Sequence, residues 1–262
     1  MPNLLNRFGA CPWWLQTLGL VVLGGVSGLG HAPFDMWPAT IVALGILFWI
    51  YPSSCSPRQA VLRVWAFGFG YFAFSLRWII EPFLVDIARH GWMAPFALFL
   101  MASGAALFWG LSAWVAQRVA PRSTVMLGLA LVAAEVSRSL ILTGFPWALL
   151  GHVWVPTDIA QLAAIGGPHL LSLLTVLAAW AVAMLVGKDR IIGLLILGLL
   201  VAVSFVMRPG PVAQLSDDLP MVRLVQPNAP QSQKWDPAFR DVFVNRRLRL
   251  TGEGAVQDLV VW

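Results

Sequence analysis

The chain has 262 residues, of which 59% are hydrophobic and only 11% are charged. An ordinary soluble domain carries about 25% charged residues, so this composition excludes such a domain and predicts a chain that buries most of its surface in lipid. The net charge of +5 could favour nucleic acid as a partner, but the cations mostly mark the ends of apolar segments, so we expect no nucleic acid.

Seven apolar segments are long enough to cross, or nearly cross, a bilayer. In chain order they lie near residues 14–30, 36–51, 60–80, 92–117, 124–143, 164–187 and 191–207. Many of the 14 tryptophans flank these segments, where an indole ring can lie at the level of the lipid headgroups. The sequence therefore predicts a mainly α-helical, polytopic membrane protein with about seven transmembrane helices.

The cations predict how these segments are oriented. Alternate loops contain Lys or Arg, whereas loops 31–38 and 144–158 contain none, and only Arg77 and Arg89 lie near loop 81–91, beside Glu81 and Asp86. The cations of the basic regions are Arg7, Arg58, Arg63, Arg118, Arg122, Lys188 and Arg190. Because basic loops face the cytoplasm, we expect a cytoplasmic N-terminus in a bacterial inner membrane. Seven crossings then place everything after about residue 208 in the periplasm.

Two ionisable residues lie deep in the fifth segment. Glu135 and Arg138 are three positions apart, so they share one face of a helix. Charged groups inside a membrane are costly and often functional, but they also form structural pairs inside a helix bundle. We favour the paired structural role.

The character of the chain changes after Arg208. Residues 221–226 resemble a buried strand, 236–250 an amphipathic helix and 259–262 the start of a second strand. Strand, helix and strand open an α/β domain, but two strands and one helix cannot form a stable domain alone. We therefore expect a membrane bundle over 1–208, a linker over 209–220 and an incomplete α/β domain over 221–262.

The four histidines do not suggest a metal site. They are scattered over helix ends and loops, and no two have the spacing of metal ligands: His31, His90, His152 and His169. No glycine-rich phosphate-binding loop occurs either. We expect no metal and no cofactor.

Four segments carry a resemblance to a known family. They are residues 32–38 (APFDMWP), 65–71 (WAFGFGY), 142–147 (LTGFPW, followed by Gly151) and 225–236 (VQPNAPQSQKWD). In order and spacing they resemble the apolipoprotein N-acyltransferases of the bacterial inner membrane. The resemblance implies a helical bundle that bears a periplasmic, nitrilase-like (carbon–nitrogen hydrolase) domain, in a protein that is expected to be a monomer.

The resemblance also implies an activity. A Glu–Lys–Cys triad takes an acyl chain from a phospholipid as a thioester and passes it to the N-terminal diacylglyceryl cysteine of an apolipoprotein. No member of the triad can be matched on this chain, and the family's Glu would end a Trp-Pro-Glu run that begins at Trp262. No catalytic residue is therefore assigned, the triad is expected beyond Trp262, and we expect the 262-residue chain to be inactive alone.

The resemblance implies substrate-side roles for two groups of residues. Trp235 matches a tryptophan on a mobile arm of the family; it would either contact substrate or simply cap a sheet edge, and we favour the substrate-side role. Gln231 and Lys234 would position that arm. Phe145, Pro146 and Trp147 would form either a wall of the acyl-chain entrance or a plain interfacial anchor.

Two functions of other classes remain as alternatives to the acyltransferase. A multispan transporter would need a path of polar residues through several helices, and only Glu135 and Arg138 lie deep enough. A non-catalytic membrane scaffold would use the tail to bind a partner.

Overall fold

A computed structural model describes residues 8–54, 56–141, 143–208, 219–230, 233–234 and 236–262. Arg7 and most of the predicted linker 209–220 lie outside these residues. The chain divides into two compact units. The first contains Met1–Arg77 and Leu98–Pro209, and the second contains Trp78–Ala97 and Gly210–Trp262.

Within the described residues, seven main helices lie in the seven predicted apolar segments. They are α1 (Trp13–Gly28), α2 (Trp37–Ile50), α3 (Pro57–Ser75), α4 (Ala94–Val119), α5 (Thr124–Leu140), α6 (Ala163–Leu185) and α7 (Arg190–Val206). Short helical turns connect several of them, at Tyr51–Ser53, Arg77–Leu84, Ile87–His90, Gly91–Met93, Leu150–Trp154 and Asp158–Leu162. The mainly α-helical architecture is thus confirmed.

Local sequence explains where several helices begin or bend. The Ser56 side chain accepts a hydrogen bond from the Gln59 N–H at the start of α3, and Ser123 does the same for Met126 at the start of α5. Helix α6 is kinked at Gly166 and Gly167, and Gly167 has a φ of +65°, which favours glycine. These features determine where α3 and α5 begin and where α6 bends, and all three helices contribute to the site described below.

The first unit is held together by close helix packing. Helix α1 packs on α3 and α2, and α6 packs on α2, α5 and α7. A Cβ on Gly24 of α1 would collide with the Phe67 carbonyl, and one on Gly70 of α3 would collide with that of Val21. Small residues at such contacts let the two backbones approach, as is common between membrane helices.

Two helical stretches among the described residues are long and apolar enough to cross a membrane. They are Ile87–Val119, with 33 residues, and Asp158–Leu185, with 28 residues. Shorter apolar helices cover Trp13–Gly28, Trp37–Ser53 and Arg190–Val206. By length and composition, therefore, seven membrane crossings are not confirmed and remain a prediction.

The tail of the second unit forms a βαβ arrangement. Strand β1 (Val222–Leu224) lies parallel to β2 (Leu259–Val261), with Val222 opposite Leu259. Helix α8 (Pro237–Gly252) connects them, as a crossover between parallel strands requires. The Arg223 side chain donates hydrogen bonds to the carbonyls of Thr251 and Ala255 at 2.6 and 2.8 Å, which fastens the return from α8 to β2.

Candidate functional site

The last two turns of α5 carry a buried ion pair. Glu135 and Arg138 lie three residues apart, and Arg138 Nη2 is 3.3 Å from Glu135 Oε1. Glu135 is 0% exposed and Arg138 is 3% exposed. Both charges are therefore removed from solvent, where only pairing and further hydrogen bonds compensate for the lost hydration.

The carboxylate of Glu135 joins three elements. Its Oε1 also accepts a hydrogen bond from Trp109 Nε1 of α4 at 3.3 Å. Its Oε2 accepts from the Leu150 N–H at 2.7 Å and from Ser172 Oγ of α6 at 3.1 Å. A carboxylate has about four lone-pair sites, and with Arg138 all four are used. Glu135 is therefore suited to hold this region together and not to act as a general base.

The side chain of Arg138 binds the backbone of the loop that follows α5. Its Nη1 donates to the carbonyls of Phe145 and Trp147 at 2.6 and 2.7 Å. Its Nη2 donates to the Ala148 carbonyl at 3.3 Å, and the guanidinium lies 5.0 Å from the centre of the Phe72 ring. One side chain thus fixes three backbone carbonyls within residues 145–148.

The loop presents aromatic and proline side chains at the surface while its backbone is fixed. Phe145 is half-buried, Pro146 is exposed and Trp147 is 57% exposed. Gly144 at φ +81° allows the chain to turn from α5 into this path. The structure therefore brings Phe145, Pro146 and Trp147 together with the Glu135–Arg138 pair in one arrangement, which we call the α5 loop site.

Two histidines and a tyrosine extend the polar network. His31 Nε2 and Tyr71 Oη are 2.6 Å apart, and the Tyr71 hydroxyl donates to the Ala148 carbonyl at 3.2 Å. The rings of His31 and His152 meet edge to face, with centroids 6.4 Å apart. Burial, aided by nearby His152, lowers the pKa of His31 to about 4. Both of these residues lie in connections between helices, and burial also lowers the pKa of His152.

Sequence reasoning missed the residues that complete this network. His31, Tyr71, Trp109, His152 and Ser172 come from five separate regions, and no local spacing links them. A signal did exist, because His31 directly precedes the motif at 32–38 and Tyr71 ends the motif at 65–71.

The predicted arm residues belong to the second unit. Gln231 and Trp235 lie outside the described residues. Lys234 is described: its N–H donates to the Pro230 carbonyl at 2.9 Å, and it lines a cavity of about 380 Å³ with Arg240 and Arg247. Among the residues that the structure describes, no group of three His, Cys, Asp or Glu side chains could hold a metal ion.

Comparison with known proteins identifies the family. Residues 23–181 match the sequence model of the apolipoprotein N-acyltransferase N-terminal domain. The apolipoprotein N-acyltransferase of Caulobacter vibrioides is 34% identical over 277 residues, which cover 98% of this chain and 51% of that protein. Those of Brucella suis and Pseudomonas syringae are 31% and 30% identical over 99% and 96% of the chain.

These matches cover 53% of the Brucella protein and 52% of the Pseudomonas protein. The chain thus spans about half the length of the curated relatives that it matches. The matched domain contains the α5 loop site and the polar network around it, from His31 to Ser172. This chain belongs to the apolipoprotein N-acyltransferase family.

Proposed function

We propose that this chain forms the membrane part of an acyltransferase that moves a fatty acyl chain from a phospholipid to the N-terminal diacylglyceryl cysteine of an apolipoprotein. The observation that carries the proposal is the family match across almost the whole chain. In the proposed reaction, a cysteine thiolate attacks the ester carbonyl of the phospholipid and releases a lysophospholipid. The α-amino group of the apolipoprotein then attacks the thioester and regenerates the thiol.

The α5 loop site supports a role in lipid binding. Three guanidinium-to-carbonyl hydrogen bonds hold the backbone at residues 145–148, so Pro146 and Trp147 are presented on a fixed frame. Preorganised side chains position a substrate without paying for ordering at the moment of binding. We propose that this exposed aromatic rim contacts the acyl chain of the donor phospholipid at the entrance to the reaction centre.

The proposal includes a place in the cell. Large apolar side chains cover the outer faces of α4 and α7, with Leu107 63% exposed and Leu195 67% exposed, as expected for helices that contact lipid. We propose a seven-helix bundle over 1–208 in the inner membrane with a cytoplasmic N-terminus. Residues 221–262 would then begin a periplasmic nitrilase-like domain, in a protein that acts as a monomer.

The proposal also assigns substrate-side roles to three residues of segment 231–235. We propose that Trp235 contacts substrate, as the family resemblance implies, and that Gln231 and Lys234 position it. Lys234 is exposed at the turn that follows Pro230, which suits a segment that approaches a ligand.

A chimera tests the proposed function. The part of the Caulobacter vibrioides relative that matches this chain is replaced by the chain itself. The purified chimera in detergent receives a phospholipid with a labelled acyl chain and a diacylglyceryl-cysteinyl peptide, and the triacylated product is measured by mass. We expect transfer by the chimera, because the chain supplies the domain that the family shares.

The matched controls are the 262-residue chain alone and the chimera with Arg138→Gln. The chain alone reports what its own residues catalyse, and Arg138→Gln removes the charge that holds the α5 loop site. A folded chimera that is membrane-inserted and transfers no acyl chain, beside an active Caulobacter protein, would contradict the proposal.

A further inference from the structure

A groove lies between α3 and α4, beginning at the first turn of α3. It is an open groove of about 860 Å³, and its lining includes Arg58, Leu62, Trp65, Leu107, Trp114 and Arg118. Arg58 lies 13 residues before Tyr71 on α3, which is about 20 Å along the helix at 1.5 Å per residue. The basic end of the groove is therefore remote from the cluster around Glu135.

The groove follows from how α3 and α4 pair. The beginning of α3 lies beside the end of α4, so the two helices run in opposite directions. A Cβ on Gly110 would lie 3.4 Å from the Trp65 Cβ, an ordinary van der Waals distance, so Gly110 lies directly against Trp65 in the wall of the groove. Leu111 and Trp114 continue the apolar wall on the α4 side. The result is an open apolar channel along the outer face of the helix pair.

Two cations stand at one end of this channel. Arg58 is in the first turn of α3, and Arg118 is in the last turn of α4. The Arg118 guanidinium lies 4.9 Å from the centre of the Trp114 ring. Among the described residues, the three ion pairs involve other side chains, so neither guanidinium is neutralised by a carboxylate there. Two exposed guanidinium groups at one end of a groove attract an anion.

The dimensions and charges together specify the ligand. From Arg118 to Leu107 the channel follows 11 residues of α4, or about 16 Å. That is about half of the ~30 Å hydrocarbon core, the depth of one leaflet. An ion alone would fill only the basic end, whereas a phospholipid has both an anionic phosphate and an apolar chain of this reach.

We propose that this groove binds an anionic glycerophospholipid. Its phosphate lies between Arg58 and Arg118, and one acyl chain follows Trp65, Leu111 and Leu107 toward the middle of the membrane. The site holds a lipid at the end of the bundle opposite the α5 loop site, and that lipid is not the acyl donor. The inference rests on the proposed membrane placement and not on acyl transfer.

Native mass spectrometry of the whole chain in detergent tests the site. Phosphatidylglycerol is titrated against phosphatidylcholine of the same chain length. We expect one molecule of phosphatidylglycerol to bind preferentially, and Arg58→Gln with Arg118→Gln to weaken it roughly tenfold or more, as two basic groups near a lipid surface should. The matched control, Lys188→Gln with Arg190→Gln, removes two exposed cations outside the groove and should leave the affinity unchanged.

A second variant tests the acyl-chain part. Leu107→Trp fills the channel at an exposed position, so the fold should tolerate it, and it should weaken long-chain more than short-chain phosphatidylglycerol. Equal binding of both lipids, equal loss in both double variants, or displacement by inorganic phosphate at matched concentration would overturn the proposal. If the membrane placement itself were wrong, the chain would leave the membrane on carbonate extraction, which separates the two failures.

Discussion

Two arginines of the helical unit are almost equally buried, yet they form hydrogen bonds with different kinds of partner. Arg63 of α3 is 4% exposed and Arg138 of α5 is 3% exposed. Arg63 donates to the side chains of Ser53, Ser54 and Gln16 at 3.0–3.2 Å. Arg138 donates to Glu135 and to three backbone carbonyls of the loop after α5.

The difference shows that burial of a charge does not by itself indicate function. Ser54 and Gln16 are buried as well, so Arg63 closes the packing of α1, α3 and the turn between α2 and α3. The carbonyls that Arg138 holds belong to a loop whose Pro146 and Trp147 side chains are exposed. Arg138 therefore fixes the backbone of a loop with exposed side chains, whereas Arg63 stabilises the packing of buried side chains between helices.

The largest effect should come from removing the carboxylate of the α5 loop site. Glu135→Leu leaves Arg138 without its counter-ion, and it also removes the acceptor for Trp109, Leu150 and Ser172. Breaking a buried pair by deleting one partner costs about 3–5 kcal/mol. We expect a strongly lowered thermal unfolding midpoint in detergent and loss of transfer by the chimera.

Glu135→Gln is the matched control, since it keeps the shape and one acceptor oxygen. It should lose less stability than Glu135→Leu. Unchanged stability in Glu135→Leu would mean that the loop does not depend on this pair, and the contrast with Arg63 would then fail.

Arg63→Met should cause a smaller loss of stability than Glu135→Leu, and it should not reduce acyl transfer. Interhelical hydrogen bonds between membrane helices average about 0.6 kcal/mol each, so the loss of three should cost about 2 kcal/mol. Transfer by the chimera, measured well below its unfolding temperature, should stay near that of the parent. A loss of transfer without a loss of folded protein would place Arg63 in the functional machinery and abolish the distinction.

The sequence predicts the elements of the α5 loop site better than their connections. The spacing of Glu135 and Arg138 indicates a shared helix face, and the segment 124–143 contains the helix that ends at Leu140. The segment 60–80 is longer than α3, because the chain changes to a tighter helical turn at Arg77–Leu84, which contains Pro82.

No local pattern predicts which atoms the loop uses to reach Arg138. The acceptors are backbone carbonyls, and every residue has one, so the amino-acid types at 145–148 carry no signal for this contact. The contact of His31 with Tyr71 spans 40 residues and depends on how α1 approaches α3. Such contacts arise from tertiary packing, which periodicity and spacing do not encode.

A pH effect should follow from His31. Its pKa is about 4 in the folded chain, against about 6.5 for an ordinary histidine. The unfolded chain therefore binds the proton more readily than the folded chain. The contribution of neutral His31 to the free energy of unfolding is fully present above about pH 6.5 and is lost as the pH drops toward 4. We expect the unfolding midpoint in detergent to fall between pH 7 and pH 5.

His31→Gln should flatten that pH dependence, since an amide can keep a hydrogen bond to the Tyr71 hydroxyl without titrating. Combining it with His152→Gln should flatten the curve further, because burial lowers the pKa of His152 too. An equally steep curve in the double variant would assign the pH effect to other groups.

The smallest effect on stability, and the sharpest test of the comparison, should come from Trp147→Ala. The Arg138 bond goes to the backbone carbonyl of Trp147, so the substitution leaves that bond in place. The unfolding free energy should fall by about 1 kcal/mol or less, as for most single substitutions. The apparent KM of the chimera for phospholipid should rise about three- to tenfold, because one aromatic contact contributes about 0.5–1.5 kcal/mol. Trp13→Ala, at an exposed tryptophan of α1, is the matched control and should leave that KM unchanged. If both substitutions raised KM equally, general lipid contact would explain the effect, and the fixed loop would have no special role.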